Sequence, residues 1–251
     1  MAATLALTWI ALCAPIVVFF VLGVDQQLRF NYSLIAQIVA PFMAAFFCYH
    51  TASAFPRMDS MNKILKFLGT GVLCWGIGAI LYALYPLFHE GQETPFPWYS
   101  DIGYLLLVPF ILMGLIFFKR TFGFKIPVFG KVGGAFFFLV AFSLSVQFNL
   151  AKLKDSDSLA SYVATLGYVL GDPLLLAGTM MVVSILTGPT ARPWWLILIG
   201  LIFYYLGDLV YNYLSIQGEY GTGHPIDITW PLAFGFIAVA ALVIRTRARY
   251  S

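Results

Sequence analysis

The chain has 251 residues, of which 61% are apolar and only 10% are charged, with a formal net charge of +3. Soluble domains are about 45–50% apolar and about 25% charged, so this composition and a mean hydropathy of +0.88 predict a polytopic protein embedded in a lipid bilayer. They leave no room for a sizeable soluble domain, and the few scattered basic residues give no support to a nucleic-acid partner.

Eight stretches are long and apolar enough to cross a membrane as helices, which takes about 20 residues each. They lie at residues 3–23, 33–54, 65–88, 102–118, 128–148, 160–187, 194–215 and 227–244. The fourth is short, and the sixth is long and interrupted by Asp172-Pro173, where a kink is expected because proline removes a helical hydrogen bond. The sequence thus predicts an all-α, eight-helix bundle forming a single transmembrane domain over residues 1–251.

The basic residues predict the orientation of the bundle. All but three of the 14 lysines and arginines fall in the loops at one end of the spans or in the C-terminal tail, and the exceptions are Arg29, Lys152 and Lys154. Lysine and arginine concentrate in cytoplasmic loops. We therefore expect both termini in the cytoplasm and the protein in the cell (inner or plasma) membrane.

Four carboxylates are the main candidates for function. Asp172 and Asp208 lie inside apolar runs, and Asp101 and Asp227 begin the fourth and eighth spans. At about 1.5 Å per residue, Asp208 lies roughly 21 Å from the cytoplasmic start of its helix, in the outer half of the membrane. Carboxylates at such depths are costly and usually functional. No lysine or arginine is expected deep in a span to pair with them.

These carboxylates predict a polar pocket that opens outward and binds a cation, a protonated amine or another small polar ligand. Its remaining predicted members are Tyr104, Tyr211, Asn212, Trp230 and His224. A structural interpretation stays open, in which Asp101 and Asp227 cap helix starts and Asp172 and Asp208 form interhelical hydrogen bonds.

Enzyme and metal signatures are lacking. The sequence contains no GxSxG, HExxH or P-loop motif, so we predict no catalytic residues. His224 with Glu219 and Asp227 matches no established metal-ligand spacing, so no metal site is predicted, and the sequence does not specify a cofactor.

A helix-pair repeat is also indicated. Residues 70–118 and 194–244 both read as a helix, a polar loop with proline and aspartate, and a second helix. Residues 75–79 (WGIGA) correspond to residues 204–208 (YYLGD), and Pro97 to Tyr104 correspond to Pro225 to Trp230. Binding sites in membrane proteins often lie between such repeats.

Four segments carry a resemblance to a known group of proteins. Residues 95–105 (PFPWYSDIGYL) resemble the pattern YPSxADxxYL, and residues 168–176 (YVLGDPLLL) resemble YPxGDxxLL. Residues 208–211 (DLVY) and 227–230 (DITW) resemble DxxY and DxxW. In this order they are similar to the multi-helix membrane regions that precede bacterial GGDEF diguanylate cyclases and histidine kinases. Ala79 replaces an aspartate of that pattern, and Trp98 replaces a serine.

The resemblance implies a sensory input region whose ligand is undefined. Because the sequence ends at Ser251 without an output domain, we expect it to act through partner subunits or a separate signalling output protein. One alternative is a structural or accessory subunit of a larger membrane complex, such as an energy-converting or pigment-binding one. A second is a small proton- or cation-coupled transporter. A cavity lined by the acids favours binding, and fully paired acids without a cavity favour a structural subunit.

Overall fold

The computed structural model describes residues 2–89, 92, 94–123, 125–154, 156 and 158–248. Arg249 of the basic tail lies outside them. The described residues form eight long α-helices, all long and apolar enough to cross a membrane, so the predicted all-α bundle is confirmed. The helices are α1 (Ala2–Val21), α2 (Gln26–Ala52), α3 (Ser60–Phe88), α4 (Tyr99–Phe122), α5 (Val128–Lys154), α6 (Leu159–Ile185), α7 (Arg192–Gln217) and α8 (Thr229–Ala248).

Several helices extend beyond the apolar stretches that predict them. The fourth, expected to be short, has 24 residues, and α5 continues to Lys154. Long basic side chains allow this, because their apolar stems can lie along the helix while the charged groups reach a polar environment. The expected interruption of α6 is wrong, since Pro173 lies inside one continuous helix.

The helices pack as antiparallel neighbours, with α3 against α4, α5 against α6 and α7 against α8. Helix α2 packs against both α3 and α8, while α6 contacts α4 and α7 and completes the interior. Helix α1 lies against α8, where Trp9 Nε1 donates a hydrogen bond to the Pro231 carbonyl oxygen at 2.6 Å. The distal end, as we call it, is where α3, α5 and α7 end and α4, α6 and α8 begin.

Close glycine contacts at the distal half make the α3–α4 and α7–α8 pairs alike. Gly78 of α3 lies against the backbone of Ser100, and Gly207 of α7 lies against the side chain of Thr229. Glycine permits this approach because it has no Cβ. The contacts agree with the sequence correspondence between the two pairs, in which Asp208, directly after Gly207, has alanine as its counterpart in α3.

We predict that Gly103→Ala weakens the bundle. A Cβ at Gly103 would lie 2.7 Å from the backbone of Gly78, and overpacking of this kind costs about 1–3 kcal/mol. The matched control is Gly221→Ala, because a methyl group at Gly221 would have no neighbouring atom within 4 Å and should change stability by about 0.5 kcal/mol or less. Equilibrium unfolding in mixed micelles measures the free energy of unfolding of both variants. Equal losses in the two variants would contradict the close packing assigned to Gly103.

Candidate functional site

A cavity of about 90 Å³ lies in the distal half of the bundle. It begins beneath Thr94, Pro95 and Phe96 in the α3–α4 loop and reaches Trp75 and Tyr204 near the middle of α3 and α7. Since one water needs about 10–15 Å³ of such space, the cavity is large enough for several waters or a small organic molecule.

The wall of the cavity combines aromatic rings with polar and charged groups. The aromatic members are Trp75, Tyr82, Phe96, Tyr104, Tyr168, Tyr204, Tyr211, Tyr220 and Trp230. The polar members are Gln37, Thr94, Ser100, Asp101, Asn149, Lys152, Thr165, Asp208 and Asn212. Walls that combine aromatic rings with placed polar groups are typical of small-molecule sites.

The structure brings most of the predicted site residues together at this cavity. Those that line it are Asp101, Tyr104, Asp208, Tyr211, Asn212 and Trp230. Three do not line it, namely Asp172, Asp227 and His224. The expectation that all four carboxylates share one pocket therefore needs correction, because only two of them reach the cavity wall.

Asp101 joins the start of α4 to α6. Its Oδ2 accepts a hydrogen bond from the Trp98 backbone N–H at 2.7 Å, and its Oδ1 accepts one from the Tyr168 hydroxyl at 2.7 Å. The first of these bonds helps to cap α4, as expected for a carboxylate in a first helical turn. Asp101 thus has a structural contact and a place on the cavity wall at the same time.

Lys152 is the charged residue of the cavity wall that sequence reasoning missed. Its ammonium donates a hydrogen bond to Asn212 Oδ1 at 2.6 Å and lies 5.1 Å from the centre of the Phe96 ring and 5.8 Å from that of Tyr211. Lys152 is not deep in a span, so it does not contradict the expectation about buried basic residues, but it interacts electrostatically with Asp101. Lys152 lies in the last turn of α5, so its side chain reaches back into the bundle from the end of the helix.

Asp208 connects α7 to α8 and to α6. Its Oδ1 accepts a hydrogen bond from Trp230 Nε1 at 2.7 Å, and its buried Oδ2 receives no well-aligned hydrogen bond from an N–H or O–H group of the described residues. The carboxyl of Asp172, which is 4% exposed, lies within hydrogen-bonding reach of the Asp208 carboxyl. Ionised carboxylates only accept hydrogen bonds, so a hydrogen bond between these two groups would require a proton on one of them.

Asp227 is a structural residue rather than part of the cavity. It is fully buried and accepts hydrogen bonds from Ser33 Oγ at 2.5 Å, from the Gly223 N–H at 2.7 Å and from the Tyr220 hydroxyl at 2.9 Å. These donors come from α2 and from the segment before α8. Asp227 therefore fastens the α7–α8 connection to α2.

His224 lies outside the cavity and caps the short helix Pro225–Ile228. Its Nδ1 accepts a hydrogen bond from the Ile226 N–H at 3.2 Å, and its ring packs edge-on against Phe20 with centroids 5.6 Å apart. Partial burial lowers the pKa of His224 below its ordinary value. The neutral ring, which keeps an acceptor nitrogen, is therefore favoured at pH 7.

Within the described part of the chain, no three histidine, cysteine, aspartate or glutamate side chains are grouped as ligands for a metal ion. No protein-family model matches the sequence, and neither a curated protein nor a solved structure shows significant similarity to it.

Replacing Asp227 with alanine should lower the free energy of unfolding by about 3 kcal/mol, because three buried donors lose their acceptor. The matched control is Asp25→Ala, which removes an exposed N-cap acceptor for the Gln27 and Leu28 N–H groups and should cost about 1 kcal/mol. Unfolding in mixed micelles gives both values. A smaller loss of unfolding free energy in Asp227→Ala than in Asp25→Ala would contradict the structural role of Asp227.

Infrared difference spectroscopy tests the contact between Asp172 and Asp208. A shared proton predicts a carboxylic-acid C=O stretch at neutral pH that shifts in deuterated buffer. The band should disappear in Asp172→Asn, since an amide can hydrogen bond to Asp208 without a proton from solvent, and it should remain in the control variant Asp25→Asn. A spectrum of the wild-type protein without such a band would contradict a shared proton between the two carboxyl groups.

Proposed function

We propose that this multi-pass membrane protein is a binding module that takes up a small polar molecule from the distal end of the bundle. The observation that carries the proposal is the cavity that brings Asp101, Lys152 and Asp208 to one surface among aromatic rings. The positive-inside pattern of the loops supports placing this end on the extracytoplasmic side of the cell membrane.

The energetics of the site support binding over a purely structural role. Charged groups in the interior of a membrane protein are costly, and apolar packing would stabilise the bundle at least as well. Asp227 meets the expectation for a structural carboxylate, with three donors and no contact to the cavity. Asp101 and Lys152 differ from it because they line an open space.

The sensory part of the proposal draws on the resemblance of residues 66–244 to membrane input regions of signalling proteins. Asp101, Asp208 and Trp230 belong to the resembling segments and line the cavity. We propose that occupancy of the cavity changes how α4, α6, α7 and α8 pack, and that a partner protein reads this change at the opposite, basic end of the bundle.

The transport alternative requires the cavity to open alternately to both faces of the membrane. The lining residues extend only from the distal end to about the middle of the helices. This distribution fits a site with a single entrance, so binding without transport is the function we favour.

A thermal-shift screen of the full chain in lipid nanodiscs tests the binding proposal. The screen uses a set of small amines, carboxylates, amino acids and sugars, and a ligand at 100 times its Kd should stabilise the protein by about 2.7 kcal/mol. Lys152→Met should weaken binding of any stabilising compound that carries a carboxylate at least tenfold, because the ammonium of Lys152 is the group that would bind it.

The matched control is Lys154→Met, which removes an exposed lysine from the same helical turn and should leave binding unchanged. Carboxylate compounds that stabilise the wild-type protein and both variants equally would show that they bind away from Lys152. If no compound stabilises the wild-type protein, the proposed function is wrong.

A further inference from the structure

The positive and negative charges of the cavity are held apart by their own hydrogen bonds. Lys152 is bonded to Asn212, and Asp101 is bonded to Trp98 and Tyr168. The described residues contain no ion pair with nitrogen and oxygen within 4.0 Å, although Lys152 and Asp101 interact electrostatically. The two charges thus face one space without neutralising each other in direct contact.

Both groups retain capacity for a further partner. An ammonium has three N–H donors and a carboxylate has about four acceptor sites. The hydrogen bonds described above use one donor of Lys152 and two acceptor sites of Asp101. A buried charge is strongly stabilised by a partner of opposite charge, so each of the two favours a ligand group of the opposite sign.

The aromatic walls favour the same kind of ligand. The Phe96 and Tyr211 rings already lie beside the Lys152 ammonium, and Tyr104 and Tyr168 stand near Asp101 on the cavity wall. Ring faces attract cations as well as apolar groups. A volume of about 90 Å³ holds roughly six to nine water-sized groups, which is the size of a small amino acid.

We propose that the ligand is a zwitterion of amino-acid size, an inference that rests on the proposed function. Its carboxylate binds the Lys152 ammonium, its amino group binds the Asp101 carboxylate, and its apolar part lies among the aromatic rings. A simple cation or anion would satisfy only one of the two charges and leave the other without a partner.

Titration of the proteinogenic amino acids into the full chain in nanodiscs, followed by thermal shift, tests this ligand class. The strongest binder is then compared with its own amide, which lacks the carboxylate, and with its deaminated acid, which lacks the amino group. We expect both analogues to bind at least tenfold more weakly. Analogues that bind as well as the amino acid would overturn the proposal.

Two variants test which end of the ligand binds Lys152 and which end binds Asp101. Lys152→Met should lower the affinity for the amino acid at least tenfold and leave the affinity for the amide unchanged. Asp101→Asn should lower the affinity for the amino acid and leave the affinity for the deaminated acid unchanged. Each shift is measured against the unliganded melting temperature of the same variant, so a loss of basal stability does not obscure it. An equal loss of affinity for the amino acid, its amide and its deaminated acid in either variant would contradict the orientation assigned to the ligand.

These experiments also distinguish a failure of the zwitterion proposal from a failure of the proposed binding function. If no amino acid stabilises the protein but another compound does so in a manner that depends on Lys152, the binding function stands and the zwitterion is wrong. If no compound of any class stabilises the wild-type protein, both proposals fail.

Discussion

The hydrogen bond from Trp230 to Asp208 is the interaction on which the interior of this bundle depends. It joins α7 to α8 at 2.7 Å beside the close contact that Gly207 makes with α8. A carboxyl group without partners inside a membrane bundle is costly, and Asp208 obtains its hydrogen-bond donor from a neighbouring helix. Asp208 therefore fixes the register of α7 against α8 and, through Asp172, that of both against α6.

The cavity follows from the same constraint. Polar groups that satisfy one another across helices keep those helices at fixed distances, and the large rings between them cannot collapse into the remaining space. Such space lowers stability, because the atoms around it lose packing contacts. The space of about 90 Å³ beside Asp101 and Lys152 is the feature on which the proposed binding function rests.

The number of helices could be predicted from sequence, because apolar length is a direct physical requirement of a span. The place of Asp208 in the distal half of α7 followed from helix geometry in the same way. Lys152 was missed because hydropathy ended its span at residue 148, while the helix continues to Lys154. Asp227 was assigned to the pocket because it begins the eighth span. Its partner Ser33 is 194 residues away in sequence, so only the fold shows that this carboxylate is already satisfied.

Solvent access to the cavity from the distal end is the central claim, and cysteine labelling measures it most directly. In a chain whose native Cys13, Cys48 and Cys74 are replaced by alanine, Thr165→Cys places a thiol on the cavity wall. Thr179→Cys places one at an equally buried position of the same helix away from the cavity. A membrane-impermeant thiol reagent should label position 165 in nanodiscs and leave position 179 unlabelled. Equal labelling, or none at position 165, would contradict the account.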